Sequence, residues 1–479
     1  MQKTAQKNDF SQGNIPSTIA RMAVPLIAAQ LINVLYSVVD RIYIARIPHV
    51  GLTVLAGVGL TFPIVTLISA FTALAGQGGA PLFSMARGEG QDERAGRIMG
   101  NSMLMLLFFA VFCTIVGYLV KTPLLRLFGA SDDTLPYAQD YLNVYLLGTP
   151  FVMAALGMNP FINAQGFTRV GMMSVLIGAL TNVALDPLFI FAFNMGVKGA
   201  AVATIISQAL SAAWTLIFLT GKRSPIRLRL SLLRPDFHLM GKIASLGLSS
   251  CTMSVTESLV QAVCNASLGQ AGGDVYITVM TIINSIRQII MMPIQGFSQA
   301  AAPVMSYNYG AKRMDRVRIC FRVQVVVTFT LSLIAWALAQ LAPRLLIQLF
   351  NGGDELMNVA VPAVRLYFAT FIFMFMQSSG QHSFVALGKA RRAMFFSLLR
   401  KAFIVAPLAV ILPRFMGPWG VFTAEAISDV VGSSACFITF MLTVWRTELS
   451  SAESQTASRT QPDSAPLEGG SSLDDGADK

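Results

Sequence analysis

Apolar residues run along this chain in long unbroken stretches, separated by short polar or basic segments. Ser102 to Val120 and Val325 to Leu341 are typical stretches. A barrel strand would alternate and end after about ten residues. Runs of roughly 20 apolar residues instead match the hydrocarbon thickness of a bilayer. Inside that thickness the backbone must satisfy its own hydrogen bonds, which leaves helices. The pattern predicts twelve spans, at 18–47, 52–78, 97–120, 136–160, 168–193, 196–219, 241–268, 273–298, 320–342, 357–384, 391–413 and 417–445. Polar loops are expected at 85–96 and 307–319. The predicted organisation is a polar segment 1–15, a six-helix lobe 16–219, a linker 220–240, a second six-helix lobe 241–446 and a tail 447–479. That tail is rich in Ser, Ala, Gly and Asp, a composition that predicts disorder.

The chain repeats itself. GAPLFSMARG at 79–88 aligns with AAPVMSYNYG at 301–310, pairing Pro81 with Pro303, Ser84 with Ser306 and Gly88 with Gly310. GVKGAAVATIIS at 196–207 aligns with GPWGVFTAEAIS at 417–428, pairing Gly199 with Gly420 and Ser207 with Ser428. The offset stays near 221 residues at both places. Six spans per half is an even number, so both halves enter the bilayer in the same direction. Such parallel repeats enclose a cavity around an axis along the membrane normal.

Composition agrees with a membrane solvent. Of 479 residues, 54% are hydrophobic and 12% charged, against about 25% charged in soluble domains; the mean hydropathy is +0.61. The net charge of +11 does not point to nucleic acid, because Lys and Arg gather in the short loops. The N-terminus, 85–96, Arg169, 220–240, 307–319 and 386–392 share one side, and the positive-inside rule makes that side, with both termini, cytoplasmic. Segment 220–240 is the most basic, with Lys222, Arg223, Arg227, Arg229 and Arg234. Five cysteines form no CxxC pair, so neither a disulfide framework nor a zinc site is expected. The first fifteen residues hold no cleavable apolar region, so the first span is expected to stay in the mature protein.

Ionisable groups inside a span are costly and mark function or a paired partner. Asp40 lies in span 1, Asp186 in span 5, Glu257 in span 7, and Glu425 and Asp429 in span 12. At the rise of a helix, Asp40 and Asp186 both sit roughly 10 Å from the outer end and Thr204 roughly 12 Å. Asn182 is one turn before Asp186, on the same face. Two carboxylates, an amide and a hydroxyl at one depth offer hard oxygens that suit Na⁺, or two acids that share a proton. Each residue has a plainer reading beside this one. Asp40 precedes Arg41 and reads also as an interfacial ion pair. Asp186 precedes Pro187 and reads also as a partner for freed backbone. Asn182 reads also as a helix–helix hydrogen bond. The second half carries no counterpart of either aspartate: Asp40 aligns near Ala262 and Asp186 near Ala406. Glu257, near the midplane, reads as a second ion or substrate anchor or as the partner of a basic group such as Arg287. Pro25, four turns before Asp40, removes a backbone donor and reads as a hinge or a passive kink. The 24 methionines suit a promiscuous cavity or ordinary packing.

At these residues the chain resembles the multidrug and toxic compound extrusion (MATE) family, on its MepA-like bacterial branch. The segments that carry the likeness are VPLIAAQLINVLYSVVDRIYI, INAQGFTRVGMMSVLIGALTNVALDPLFIF, GVKGAAVATIISQ and QAAAPVMSYNYGAKR, in family order across about 16–446. The resemblance implies an all-α membrane fold of twelve helices in two six-helix lobes forming a V. It implies antiport of H⁺ or Na⁺ against lipophilic, often cationic, drug-like molecules, with no cofactor, no resident metal and no enzyme activity. By the same resemblance, Asp40, Asn182, Asp186 and Thr204 correspond to a first-lobe cation site, with Asn159 as a further member. Glu257 falls where other members carry a second-lobe glutamate. Their partner aspartate in span 10 has no match in 357–384. A monomer in the bacterial cytoplasmic membrane is expected. A rival within the superfamily is a flippase of lipid-linked oligosaccharide or peptidoglycan precursors, which needs a cationic cavity for pyrophosphate; Arg287 and Arg400 are the intramembrane arginines for that reading. A membrane enzyme lacks any HExxH or nucleotide-binding loop to build on. A channel is disfavoured by the twofold repeat with a one-sided ion site.

Overall fold

A computed structural model of the chain describes residues 10–48, 50–348 and 354–449. Among the described residues there is no strand. The first half runs through α1 (Ile15–Ala45), α2 (Gly51–Gly88), α3 (Asp92–Leu127), α4 (Leu135–Leu147), α5 (Thr149–Ala164), α6 (Thr168–Pro187) and α7 (Gly196–Thr220). The second half follows with α8 (Phe237–Gly272), α9 (Asp274–Gly310), α10 (Met314–Leu341), α11 (Pro343–Gln348), α12 (Asp354–Tyr367), α13 (Met374–Ala386), α14 (Ala390–Leu398), α15 (Ala406–Ile411), α16 (Pro413–Met416) and α17 (Trp419–Phe440). Among the described helices, nine are long and apolar enough to cross a bilayer, and eleven passes result when two bent pairs each count as one. The expected seventh span corresponds to α8. At 36 residues it matches its neighbours in length, but SLGLSSCTMSVTES makes it more polar.

The structure corrects several boundaries. The expected fourth span is two helices, α4 and α5, bent by 60° at Gly148, and the tenth is likewise broken between Tyr367 and Phe371 by 43°. Gly148 lies against the Ile205 side chain, where a Cβ would approach within 2.3 Å, so the bend wraps one helix around α7. The polar stretches 85–96 and 307–319 are mostly helix, because their charged residues extend α2, α3, α9 and α10 beyond the bilayer rather than ending them. The turns that remain are three residues each, and both contain a left-handed residue: Gly90 at φ +73° and Lys312 at φ +57°. These two positions correspond under the repeat, so the turn geometry recurs even where glycine does not. The tail expected from 447 begins as a continuation of α17 to Leu449, which is buried; the rest of it lies outside the described residues. The basic linker is pinned to the first half. Asn101 donates to the Arg234 carbonyl at 3.2 Å and accepts from the Asp236 amide at 2.8 Å, and Asp236 then caps α8 by accepting from Leu239 at 3.0 Å.

Two helices cross between the halves. The first turns of α1, from Ile15 to Leu26, share one hydrophobic core with α9, α10, α13 and α17 of the second half. Its far end, at Ile44, belongs to the core of the first half. Conversely, Leu239, Met240 and Ile243 at the start of α8 pack into the first-half core, while Val260, Cys264 and Leu268 belong to the second. Pro25 sits near the end of the stretch of α1 that packs into the second-half core. Glycines bring the halves into contact on the side that carries the basic loops. A Cβ on Gly88 would meet the Tyr307 carbonyl at 2.0 Å, one on Gly310 the Met85 carbonyl at 2.2 Å, and one on Gly247 the Leu74 carbonyl at 1.9 Å. At the same end the Arg87 guanidinium lies over the rings of Phe10 and Tyr307, 5.5 and 5.6 Å from their centroids.

Candidate functional site

The first-half site is built by α1, α6 and α7. Within α6 the spacing of Asn182 and Asp186 sets one side chain above the other, and the Asn182 amide donates to Asp186 at 3.1 Å. The same amide reaches the Thr204 hydroxyl of α7 at 3.5 Å. Pro187 cannot donate to the preceding turn, and the helix continues as a π-helical segment, Leu188–Ala192. Such π segments often accompany functional sites. Asp186 is fully buried and Asn182 is 2% exposed.

Asp40 of α1 completes the group, its carboxyl within hydrogen-bonding reach of Asp186. Two ionised carboxylates have acceptors only. Their contact therefore needs a proton or another positive charge between them. Three buried oxygens at this point have no hydrogen-bond partner: Oδ1 of Asp40, Oδ2 of Asp186 and Oδ1 of Asn182. A buried acceptor left without a donor costs about 1–3 kcal/mol, so three together mark a place for a ligand. Arg41, the alternative partner of Asp40, is directed to the Phe62 ring at 4.8 Å. Tyr141 of α4 brings its hydroxyl to Thr204. The oxygens present suit a proton or a small hard cation.

Asn159 stands apart from the four. It lines the same cleft as Asn182 and Thr204, but its amide donates to the Gly171 carbonyl at 3.0 Å and the Ser174 hydroxyl at 2.6 Å. Asn163 donates to its carbonyl oxygen at 3.0 Å. Ser174 lies two turns before Asn182 on α6, roughly 12 Å away. Asn159 thus braces α5 against α6.

In the second half, Glu257 meets Arg287 at 3.7 Å with its side chain 60% exposed. Arg287 also binds Glu425 at 3.0 Å. Lys401 reaches Glu425 at 2.6 Å and Arg400 reaches Asp429 at 2.7 Å. The span-12 acids, for which the sequence suggested no role, are counter-ions to buried bases. Lys401 is the member that the sequence reading missed. Its signal was present as two adjacent bases, Arg400 and Lys401, in the middle of an apolar span facing two acids one turn apart.

The MatE family model matches residues 25–188 and again 250–411. The chain belongs to the MatE family. The double match also fits the internal repeat, one copy per half. Among relatives, this MatE chain is 23% identical over 434 residues to the multidrug export protein MepA of Staphylococcus haemolyticus (strain JCSC1435), covering 90% of this chain and 95% of that protein. It is 21% identical over 443 residues to MepA of Staphylococcus aureus (strain NCTC 8325 / PS 47), covering 92% and 96%. A solved MATE structure in the bent conformation superposes with a TM-score of 0.87 at 22% identity, covering 94% of this chain and 99% of that one. An outward-facing multidrug resistance MATE family transporter of the MOP superfamily gives 0.84 at 22% identity, covering 92% and 97%. At these identities the superpositions speak for the fold: a two-lobed all-helical membrane protein with many passes.

Proposed function

We propose that this MatE protein is a multidrug efflux antiporter, exporting lipophilic, often cationic compounds in exchange for H⁺ or Na⁺. The single observation that carries the reading is the Asp40–Asp186 contact, with three buried oxygens lacking a donor and the neighbouring Arg41 guanidinium placed over the Phe62 ring. A proton or Na⁺ entering there would neutralise the pair. The MepA relatives, named as multidrug export proteins, supply the substrate class.

The lobes 16–219 and 241–446 rock against each other in this reading, with one chain supplying both. The basic end faces the cytoplasm. In this reading the glycine contacts hold that end shut, and the ion reaches its pocket from outside. Charging the pocket moves α1, which is anchored in both lobes, and Pro25 is where it yields. Ion and drug need only favour different states for their movements to be coupled. The flippase reading is weakened by the fact that Arg287 and Arg400 are already bound to carboxylates, which leaves neither guanidinium for a pyrophosphate.

The test is ethidium efflux from proteoliposomes under an imposed pH or Na⁺ gradient. The expected outcome is efflux driven by one of the two gradients in the wild type and its loss in Asp40→Asn. Full gradient-driven export by Asp40→Asn would remove the pocket from the mechanism. No efflux under either gradient, with flipping of a lipid-linked sugar instead, would favour the flippase.

A further inference from the structure

The two halves keep opposite electrostatic arrangements at corresponding places. Under the repeat, Thr204 aligns with Glu425 and Tyr145 with Tyr367. Asn182 aligns with Ala402, directly after Lys401, when Pro187 is matched to Pro407. The second-half cluster is therefore built where the first-half pocket is built: the sixth helix of the half meets the fifth. The fifth helix of each half carries a π segment, after the matched proline in the first, Leu188–Ala192, and before it in the second, Leu399–Val405.

What fills the two places differs. In the first half, two carboxyls and an amide come together, and the adjacent base, Arg41, lies over the Phe62 ring instead of bridging them. In the second, Glu425 accepts from Lys401 at 2.6 Å and from Arg287 at 3.0 Å, and Tyr367 lies 3.4 Å from the same oxygen. Arg400 spans Asp429 at 2.7 Å and Glu425 at 3.9 Å. The Lys401, Arg400 and Glu425 side chains are all under a tenth exposed. With Glu257 on Arg287, three bases face three acids, and the cluster is neutral without any ion from solution. Four of these charged groups, Arg400, Lys401, Glu425 and Asp429, are buried. Burying charge is expensive, and hydrophobic side chains would fill the same volume at less cost, so packing alone does not account for it.

We propose that the second lobe contains a cation site which the protein fills with its own side chains, the Lys401 ammonium and Arg287 guanidinium standing around Glu425 where the first lobe leaves room for an exchangeable ion. The ion movement proposed above is thereby confined to one lobe. This inference rests on the first-lobe reading for its comparison, but it is tested on the second lobe alone and without a drug. Removing Lys401 leaves three acids facing two bases, a net charge that only a cation from solution can balance.

The experiment counts monovalent cations bound per purified protein in nanodiscs, as radioactive Na⁺ at equilibrium and as protons by potentiometric titration. Lys401→Met is expected either to bind one more Na⁺ than wild type or, where a proton takes the place, to keep the wild-type number of titratable protons despite the lost ammonium. The charge-balanced variant Lys401→Met/Glu425→Gln is expected to return to the wild-type Na⁺ number. Folded Lys401→Met with neither outcome would overturn the proposal. So would a double variant that binds fewer Na⁺ than wild type, since the cluster would then itself exchange ions. If Lys401→Met does not fold, the double variant, neutral as built, decides between these outcomes by its count. Failure of ethidium export by the wild type would count against the antiport reading and leave these counts unchanged.

Discussion

Asn182 and Asn159 are both polar residues in apolar helices, and both line one cleft, yet their roles differ by what their amides hold. Asn182 spends its donors on Asp186 and Thr204 and keeps an unpartnered oxygen. Asn159 has both ends satisfied by Gly171, Ser174 and Asn163. Loss of a hydrogen bond to a charged group costs about 1.5–3 kcal/mol, so Asn182→Ala is expected to weaken cation binding by about tenfold or more. Asn159→Ala is expected to leave that affinity within about twofold, as for distant sites. Isothermal measurement of Na⁺ or H⁺ binding on the two variants checks this, and equal losses would contradict the division. That Asp40, Asn182, Asp186 and Thr204 would come together was legible because helical rise and i,i+4 spacing fix depth and face. The separation of Asn159 was not legible, since the bend at Gly148 resets the depth of everything after it. Nor was Lys401, because pairing between helices leaves no trace in local spacing.

At the scale of elements, α1 is the informative helix. It is one continuous helix from Ile15 to Ala45 with Pro25 inside it, and its two ends pack into different cores. A proline inside a helix removes one hydrogen bond and weakens the turn before it. Pro25→Ala restores a donor toward the Arg21 carbonyl and stiffens the rod there. The expected outcome is slower ethidium efflux with unchanged cation affinity at the Asp40 pocket, because binding is made at the far end and only its transmission is impaired. Equal loss of both would show that Pro25 shapes the pocket itself. The existence of this helix was plain from its apolar run. Its divided allegiance was not, since an apolar face does not say which neighbour will cover it. The overrun of α2, α3, α9 and α10 past the bilayer was hidden for a related reason: charged residues end a hydropathy run without ending a helix.

For the whole molecule, the seam between the lobes is closed by backbone contact. Gly88 and Gly310 correspond under the repeat and each rests on the other lobe's main chain. A methyl group at either place cannot be absorbed by a side-chain movement, so the helices must part. Overpacking of this kind costs about 1–3 kcal/mol, enough to shift the balance of open and closed states by about tenfold. Gly88→Ala is therefore expected to speed labelling of Ala86→Cys by a membrane-impermeant maleimide in inside-out vesicles, in a background without the five native cysteines. Ala86 is 1% exposed, so slow labelling in both backgrounds would mean that the seam stays shut. The repeat that underlies this seam could be read from Pro81, Ser84 and Gly88 against Pro303, Ser306 and Gly310. That the paired glycines touch each other's lobes could not, because an alignment pairs positions without placing them.

The exchange of helix ends between the cores also bears on biosynthesis. The first six passes leave the ribosome before α8 exists, so Ile243 and its neighbours are still missing from the core they will complete. The opening turns of α1, made first of all, wait for α9 and α10 to cover them. The first half is not a finished folding unit when its own last residue is made. The first core closes once the start of α8 is made, whereas the core around the opening turns of α1 waits for residues as late as Leu449, and a truncated product would present unpaired apolar grooves to the insertion and quality-control machinery.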